Sequence, residues 1–185
     1  MRVCVRLVLI SHPDTPCPFV DRVEVELRRT GPSLSLDYRI SGDIKSLRFP
    51  PTVPAAQADN LWQTTCFEAF IRNRDGPGYF EFNLSPPVEW AAYGLDGYPQ
   101  GLRRLTDVPD PNIVALEHRR LHELWANLEL AGVPGLAARE TWRIGLSAVI
   151  EDKDGAKSYW ALAHPPGAPD FHHKDCFAAV VPPAT

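Results

Sequence analysis

Carboxylate and amide side chains occur within two apolar runs, residues 66–73 (CFEAFIRN) and 79–84 (YFEFNL). Apolar side chains occupy alternate positions in both runs, which predicts two β-strands with one buried face. An antiparallel register that pairs the apolar sets places Glu68 opposite Asn83 and diagonal to Glu81. These side chains offer several fixed acceptors and one donor pair, which suits a sugar hydroxyl or an amine. The alternative is an ordinary solvated sheet face.

The same predicted face carries three side chains that are unusual on a surface open to water, namely Cys66, Phe70 and Tyr79. The same register, with Ile71 opposite Phe80, places these three side chains on that face. We therefore expect the face to be covered, either by the proline-rich loop that precedes these strands or by a ligand.

Tryptophans supply candidate stacking platforms for a sugar ring. Trp62 precedes the first strand and Trp90 follows the second, and an indole face offers a large rigid area at low entropy cost. Trp160 lies in a run that predicts a strand, where a buried tryptophan of a sandwich core is the better explanation. We therefore assign possible stacking to Trp62 and Trp90.

Histidines near the end of the chain raise the hypothesis of a metal site. His164, His172 and His173 lie close in sequence to Asp170 and Asp175. Adjacent histidines on an extended segment point to opposite sides, so His172 and His173 share an ion only if the segment is a loop. The alternative is that these side chains hydrogen-bond the segment to the rest of the fold. Haem would need bis-His or Cys ligation, because the single methionine opens the chain.

Catalysis is a weaker hypothesis than binding. Glu68 and Glu81 could divide acid and base roles, and diagonal cross-strand neighbours lie about 7 to 8 Å apart. However, carboxylates on a sheet face are common. The chain has no nucleophile elbow, P-loop or glycine-rich dinucleotide fingerprint.

Short strands must hold these residues in place. Residues 23–27 and 34–40 alternate apolar and polar around a Thr-Gly-Pro turn, which predicts a hairpin. Residues 45–59 predict a long irregular loop, and only 85–104 and 134–140 suit a short helix or long loop. Other predicted strands lie in MRVCVRLVLI, LWANLEL, RIGLSAVI, YWALAH and CFAAVV.

Composition narrows the classes of function. The chain has 185 residues, 44% of them hydrophobic and 23% charged, which predicts one globular domain over residues 1–185. The net charge of −4 gives no basic surface for nucleic acid, and no run is apolar enough to span a bilayer. Arg6 interrupts the apolar N-terminus and the four cysteines are scattered, so we expect a cytoplasmic protein with reduced thiols.

The runs LWQTTCFEAFI, YFEFNLSPPVEWAAYGLDGY and YWALAHPPGAPDFHHKDCF together resemble the bacterial DOMON-like proteins related to family 9 carbohydrate-binding modules. The resemblance spans Leu34 to Phe177. It implies a β-sandwich of jelly-roll or immunoglobulin-like form, with aromatic rings on a sugar and polar groups on its hydroxyls. The positions that match these motifs are Trp62, Glu68, Glu81, Asn83, Trp90, His164, Asp170 and His172.

The family also includes haem-binding DOMON domains and calcium-containing modules, but no acids of this chain match the calcium ligands. Sugar-binding modules of family 9 are normally secreted with an enzyme, so a small sugar or other metabolite inside the cell is the expected ligand here. We thus predict non-catalytic binding of a small carbohydrate-like ligand at a β-sandwich face. The alternatives are a cytoplasmic protein-interaction module, which would present an exposed aromatic patch, and a metal- or haem-binding domain.

Overall fold

The computed structural model describes residues 3–51, 53–73, 76–86, 88–98 and 100–184. Met1 and Arg2, within the predicted first strand, lie outside them. The strands are β1 (Val3–Ser11), β2 (Val20–Thr30), β3 (Ser33–Gly42), β4 (Leu47–Arg48), β5 (Ala56–Gln57), β6 (Cys66–Asn73), β7 (Tyr79–Leu84), β8 (Glu89–Leu95), β9 (Arg103–Arg104), β10 (Asn112–Glu117), β11 (Leu121–Glu129), β12 (Trp142–Asp152), β13 (Lys157–Ala161) and β14 (Ala179–Val181). Short 3-10 helices cover Ile44–Ser46, Leu61–Gln63 and Lys174–Cys176. Among the described residues, no helix is long and apolar enough to cross a membrane.

The strands form two sheets that share β1. The first sheet has the order β10-β11-β3-β2-β1, and the second has the order β13-β12-β6-β7-β8-β5. The body of β1 pairs with β2, whereas Ile10 and Ser11 at its end pair with β13 of the second sheet. Short strands β4 and β14 pair with β12, and β9 pairs with β8. Neighbouring strands are antiparallel except β5 and β8, which run parallel.

The core lies between the two sheets. Alternation along β2 and β3 turns Val25 and Tyr38 inward, where they join Phe67 and Phe82 of the second sheet in one buried cluster. The Tyr38 ring packs 4.9 Å from that of Phe67, and its hydroxyl donates to the Glu68 carbonyl at 2.7 Å. The fold is therefore the predicted β-sandwich, with β6 and β7 contributing one apolar face to the core.

The predicted pairings in both hairpins are confirmed. Strands β2 and β3 pair around the turn at Gly31. Strands β6 and β7 pair with Phe67 opposite Leu84 and Ile71 opposite Phe80, because only that register directs both apolar sets to one side.

Three segments differ from the sequence-based prediction. Residues 85–104, expected to be a short helix or loop, contain strands β8 and β9. Both faces of β8 are covered, so its sequence EWAAYGL lacks the alternation of a half-exposed strand. The loop at 45–59 is interrupted by β4 and β5, and the edge strand β10 was not predicted. The single-domain assignment over 1–185 stays a prediction.

Candidate functional site

A cleft of about 1400 Å³ opens on the outer face of the second sheet. Its floor comes from β6, β7, β8, β12 and β13, and includes Glu68, Glu81 and Val149. One wall is residues 59–62, which lead into β6, and the opposite wall is residues 165–173, which follow β13. The face that we expected to be covered is thus roofed mainly by the segment from Pro165 to His173 and only partly by the loop that precedes β6.

Hydrogen bonds across three strands fix the polar side chains of the floor. Glu68 lies opposite Asn83 on one side and opposite Ser147 of β12 on the other. The Ser147 hydroxyl donates to Glu68 Oε2 at 3.0 Å, and Asn83 Nδ2 donates to Glu81 Oε1 at 2.8 Å. Each carboxyl group is therefore held by one of its oxygens.

Burial makes both carboxyl groups hard to ionise. Glu68 is 3% exposed and Glu81 is 7% exposed. Burial, together with the nearby charge of Glu81, raises the pKa of Glu68 to about 8, against the Ser147 hydrogen bond. Burial also raises the pKa of Glu81, although His172 and Asn83 favour its charged form. The floor therefore carries two carboxyl groups with raised pKa values, and Glu68 can hold a proton near neutral pH.

The wall at 165–173 is anchored to the floor by aromatic side chains. Tyr79 of β7 places its hydroxyl 2.9 Å from His172 Nδ1, and the His172 ring meets the Phe70 ring edge-on at 5.2 Å. Gly145 of β12 lets the chain that follows this wall pack closely against the sheet. A Cβ at Gly145 would lie 3.1 Å from the Cys176 carbonyl oxygen. The positions of Phe70 and Tyr79 are thus explained by contacts with this wall.

In the opposite wall, residues 59–62, Asn60 adopts a left-handed conformation with φ of 61° and precedes the 3-10 helix Leu61–Gln63. Leu61 packs inward against Cys66, which leaves the Trp62 side chain 51% exposed at the rim. Beside it, Asp59 accepts hydrogen bonds from the Tyr93 hydroxyl at 2.6 Å and from Arg104 at 3.0 Å. This network ties the wall to β8 and β9.

The structure brings together most of the predicted site residues. Trp62, Glu68, Glu81 and His172 line the cleft. Asn83 is 1% exposed. Its amide nitrogen donates a hydrogen bond to Glu81, which lies two residues earlier on the same strand. Asp170 also lines the cleft, where its carboxylate accepts hydrogen bonds from the Tyr98 hydroxyl at 2.6 Å and from the His172 N–H at 3.0 Å.

Two predicted site residues lie elsewhere. Trp90 is 3% exposed and packs in the core between the sheets, so its ring is not presented to the cleft and the stacking assignment does not fit the structure. Trp160 lies in the same core, as expected. His164 does not line the cleft; its Nε2 lies 2.9 Å from the Ile10 carbonyl oxygen, and its ring meets that of His12 edge-on at 4.9 Å.

Several lining residues were not predicted from the sequence, and Tyr93, Tyr98, Leu102, Arg104 and Tyr159 are the clearest. Tyr93 and Arg104 lie in the segment that was not expected to form strands. A signal was nevertheless present, since tyrosine and tryptophan recur through residues 90–98 (WAAYGLDGY).

The metal hypothesis finds no ready set of ligands. Within the described ranges, no group of three or more His, Cys, Asp or Glu side chains is arranged to hold an ion. His172 and His173 use their Nδ1 atoms separately, the first beside the Tyr79 hydroxyl and the second as acceptor from the Asp175 N–H at 3.3 Å. The paired histidines therefore act as hydrogen-bonding groups of the 165–173 wall.

Comparisons with solved structures show which known fold the chain shares. No protein-family model and no curated protein matches the chain. A solved structure of a proposed carbohydrate-binding protein from Bacteroides uniformis ATCC 8492 matches with a TM-score of 0.62 and 16% identity, over 93% of this chain and 83% of that one. A family 9 carbohydrate-binding module from Caldicellulosiruptor kristjanssonii, in complex with cellotriose, matches with a TM-score of 0.51 and 11% identity, over 89% and 75%. The chain therefore has the β-sandwich fold of these two proteins.

Proposed function

We propose that the cleft on the second sheet binds a small carbohydrate-like ligand without chemical change. The observation that carries the proposal is the combination of an exposed apolar rim with a buried polar floor. Trp62, Tyr98 and Leu102 are 51%, 55% and 62% exposed, and all three line the cleft whose floor holds Glu68 and Glu81. A sugar matches both parts, since its C–H faces stack on aromatic rings and its hydroxyls bond to carboxyl and amide groups.

The shape of the site supports a small ligand. A protein-interaction module would present a flat exposed patch, whereas these side chains surround a concave space with a buried floor. The two neighbours in fold add support, because one is a proposed carbohydrate-binding protein and the other was solved with cellotriose. The DOMON-like resemblance of the sequence is part of the same proposal.

The proposal is tested by thermal unfolding and isothermal titration calorimetry against mono- and disaccharides, amino sugars and nucleotide sugars. A ligand that binds the native state raises the midpoint of unfolding in a saturable way. Trp62→Ala should weaken binding by about three- to tenfold through loss of stacking. Leu116→Ala is the matched control, because Leu116 is equally exposed at 52% but lies on the edge strand β10.

Two results would contradict the proposal. One is a panel in which no sugar shifts the unfolding midpoint of the intact protein. The other is sugar binding that Leu116→Ala weakens as much as Trp62→Ala does, since that would place the ligand outside the cleft. A visible spectrum and metal analysis of the purified protein test the haem and metal alternatives in the same sample.

A further inference from the structure

The two carboxyl groups on the cleft floor have only neutral hydrogen-bond partners among the described residues. Glu68 Oε2 is bonded to Ser147 and Glu81 Oε1 to Asn83, and within the described part of the chain these are the side-chain hydrogen bonds that the two carboxyl groups make. Arg104 is the one lysine or arginine among the described lining residues, and it is already paired with Asp59 at the rim. The two carboxyl groups of the floor are therefore not paired with a lysine or arginine, and His172 of the wall is the group whose charge favours the ionised form of Glu81.

A further acceptor lies beneath the floor, behind the residues that line the cleft. Asn83 is almost fully buried, and its Oδ1 has no hydrogen-bond partner within the described residues. It stands opposite Glu68 in the register and is bonded through its amide nitrogen to Glu81. A buried acceptor without a donor is unfavourable, so the floor is rich in acceptor oxygens, and none of its described lining residues is a lysine or arginine other than Arg104 at the rim.

We propose that the ligand carries a protonated amino group that lies between Glu68 and Glu81, and that the cleft is selective for amino sugars over their neutral parents. An ammonium group supplies three N–H donors and one positive charge, which matches the two acidic side chains that line the floor, Glu68 and Glu81. The inference rests on the proposed function, because it assumes that the remainder of the ligand is a sugar held at the rim.

The geometry also predicts how a ligand changes the protonation of the two carboxyl groups. The titratable groups around the two carboxyls are Tyr38, Cys66, Tyr79, Tyr93 and His172. Because burial and Glu81 raise the pKa of Glu68 to about 8, the free protein keeps a proton on Glu68 at pH 6.5. A bound ammonium group favours the ionised carboxylate, so an amino sugar should displace that proton while a neutral sugar should not.

The test is calorimetric titration of the whole protein at pH 6.5 with matched pairs, namely glucosamine and glucose, galactosamine and galactose, and mannosamine and mannose, each in two buffers of different ionisation enthalpy. We expect one amino sugar to bind at least tenfold more tightly than its parent, with release of up to one proton. Glu68→Gln and Glu81→Gln should each remove that preference, since hydrogen bonds to charged groups contribute about ten- to a hundredfold.

The matched control is Glu151→Gln. Glu151 is also a 7% exposed glutamate of the second sheet, but it pairs with Arg48 at 3.2 Å and does not line the cleft, so this variant should keep the preference. Proton release by the unaltered protein gives a second measurement that does not depend on the variants folding.

Three results would overturn the inference. If a neutral parent binds as tightly as its amino sugar, the selectivity is wrong while the sugar-binding proposal stands. If no sugar of either kind binds, both fall together. If calcium chloride alone shifts the unfolding midpoint in the unaltered protein but not in Glu68→Gln, the floor is a metal site and the amine assignment is wrong.

Discussion

On the outer face of the first sheet, acidic and basic side chains lie side by side and remain partly exposed. The ion pairs are Arg6–Glu26, Arg28–Glu26, Arg22–Glu24, Arg39–Asp37 and Arg39–Glu123. The outer face of the second sheet is the reverse, since Glu68, Glu81 and Phe70 are buried and the carboxyl groups have neutral partners. The outer face of the first sheet is thus solvated and carries paired charges. The outer face of the second sheet is covered, its two carboxyl groups have neutral hydrogen-bond partners, and it bears the cleft.

The largest effect should come from removing an apolar side chain from the roofed face. Phe70 packs against Tyr79, His172 and Phe177, so Phe70→Ala should lower the free energy of unfolding by about 3 to 5 kcal/mol. Val8, which is 42% exposed on the outer face of the first sheet, provides the comparison. Val8→Ala should change the free energy of unfolding by about 0.5 kcal/mol or less. If urea denaturation showed the same loss for Val8→Ala as for Phe70→Ala, the two faces would not differ in burial as described.

A second prediction concerns stability as the pH rises. The pKa of Glu68, about 8 in the folded state, lies above its ordinary value of 4.5, so the folded protein keeps a proton that the unfolded chain loses. Stability should therefore be full below about pH 4.5 and fall between pH 4.5 and 8. Glu68→Gln should remove much of this loss, on the order of 2 to 4 kcal/mol at pH 8.

Urea denaturation from pH 5 to 8.5 measures this effect, with Glu151→Gln again as the control variant. If Glu68→Gln followed the pH dependence of the unaltered protein, the buried carboxyl would not be the source of the alkaline loss. If Glu68→Gln raised the free energy of unfolding at pH 8 by less than expected, water in the cleft would be reaching the Glu68 carboxylate and screening its charge.

The core beneath the first sheet should produce the opposite pH dependence. His122 of β11 is buried with its ring stacked on Phe49 at 4.0 Å, and neither ring nitrogen has a partner in the described structure. Burial lowers its pKa from 6.5 to about 4. The unfolded chain therefore binds the proton first, and stability should fall as the pH drops from 6.5 towards 4, by about 2 to 3 kcal/mol.

His122→Phe keeps an aromatic ring in that position and should remove this acid loss, as measured by urea denaturation from pH 7 to 4. His118→Gln is the control, because His118 is exposed and lies near the start of the same strand. A decline that persists in His122→Phe but disappears in His118→Gln would assign the acid loss to the surface instead.

The contrast between the two faces was only partly predictable from the sequence. Alternation in β6 and β7 was sufficient to place Glu68 opposite Asn83, because a register slip of one residue would expose Phe67 and Phe82. The burial of that face was also expected, from Cys66 and Phe70. Its roof was not, because the wall at 165–173 reaches β6 from about 100 residues further along the chain, and local pattern carries no information about such contacts.

Trp90 shows a different limit of the sequence. Trp90 lies between Glu89 and Ala91 at the start of β8, and a strand covered on both sides has no alternation to reveal which side chains face the core. Trp62 precedes β6 on a short helical turn that Leu61 fastens to the sheet, and its side chain is exposed at the rim of the cleft, whereas its contact with a ligand stays a prediction. Both tryptophans were predicted next to a strand end, so that position did not distinguish the exposed Trp62 from the buried Trp90.

The smallest effect should come from the first sheet's outer face. Arg6 and Arg28 lower the pKa of Glu26, so this group stabilises the fold above pH 4.5 and loses that contribution as the pH falls through the lowered pKa. Because the two arginines are 66% and 42% exposed, water and salt screen the pairs. Glu26→Gln should lower the midpoint of thermal unfolding slightly at low salt and not at about 1 M salt. A loss that persisted at high salt, or one as large as the change at Glu68, would mean that the first face is not simply solvated. A small, salt-sensitive loss is the result expected of a solvated face whose ion pairs are screened by water and salt.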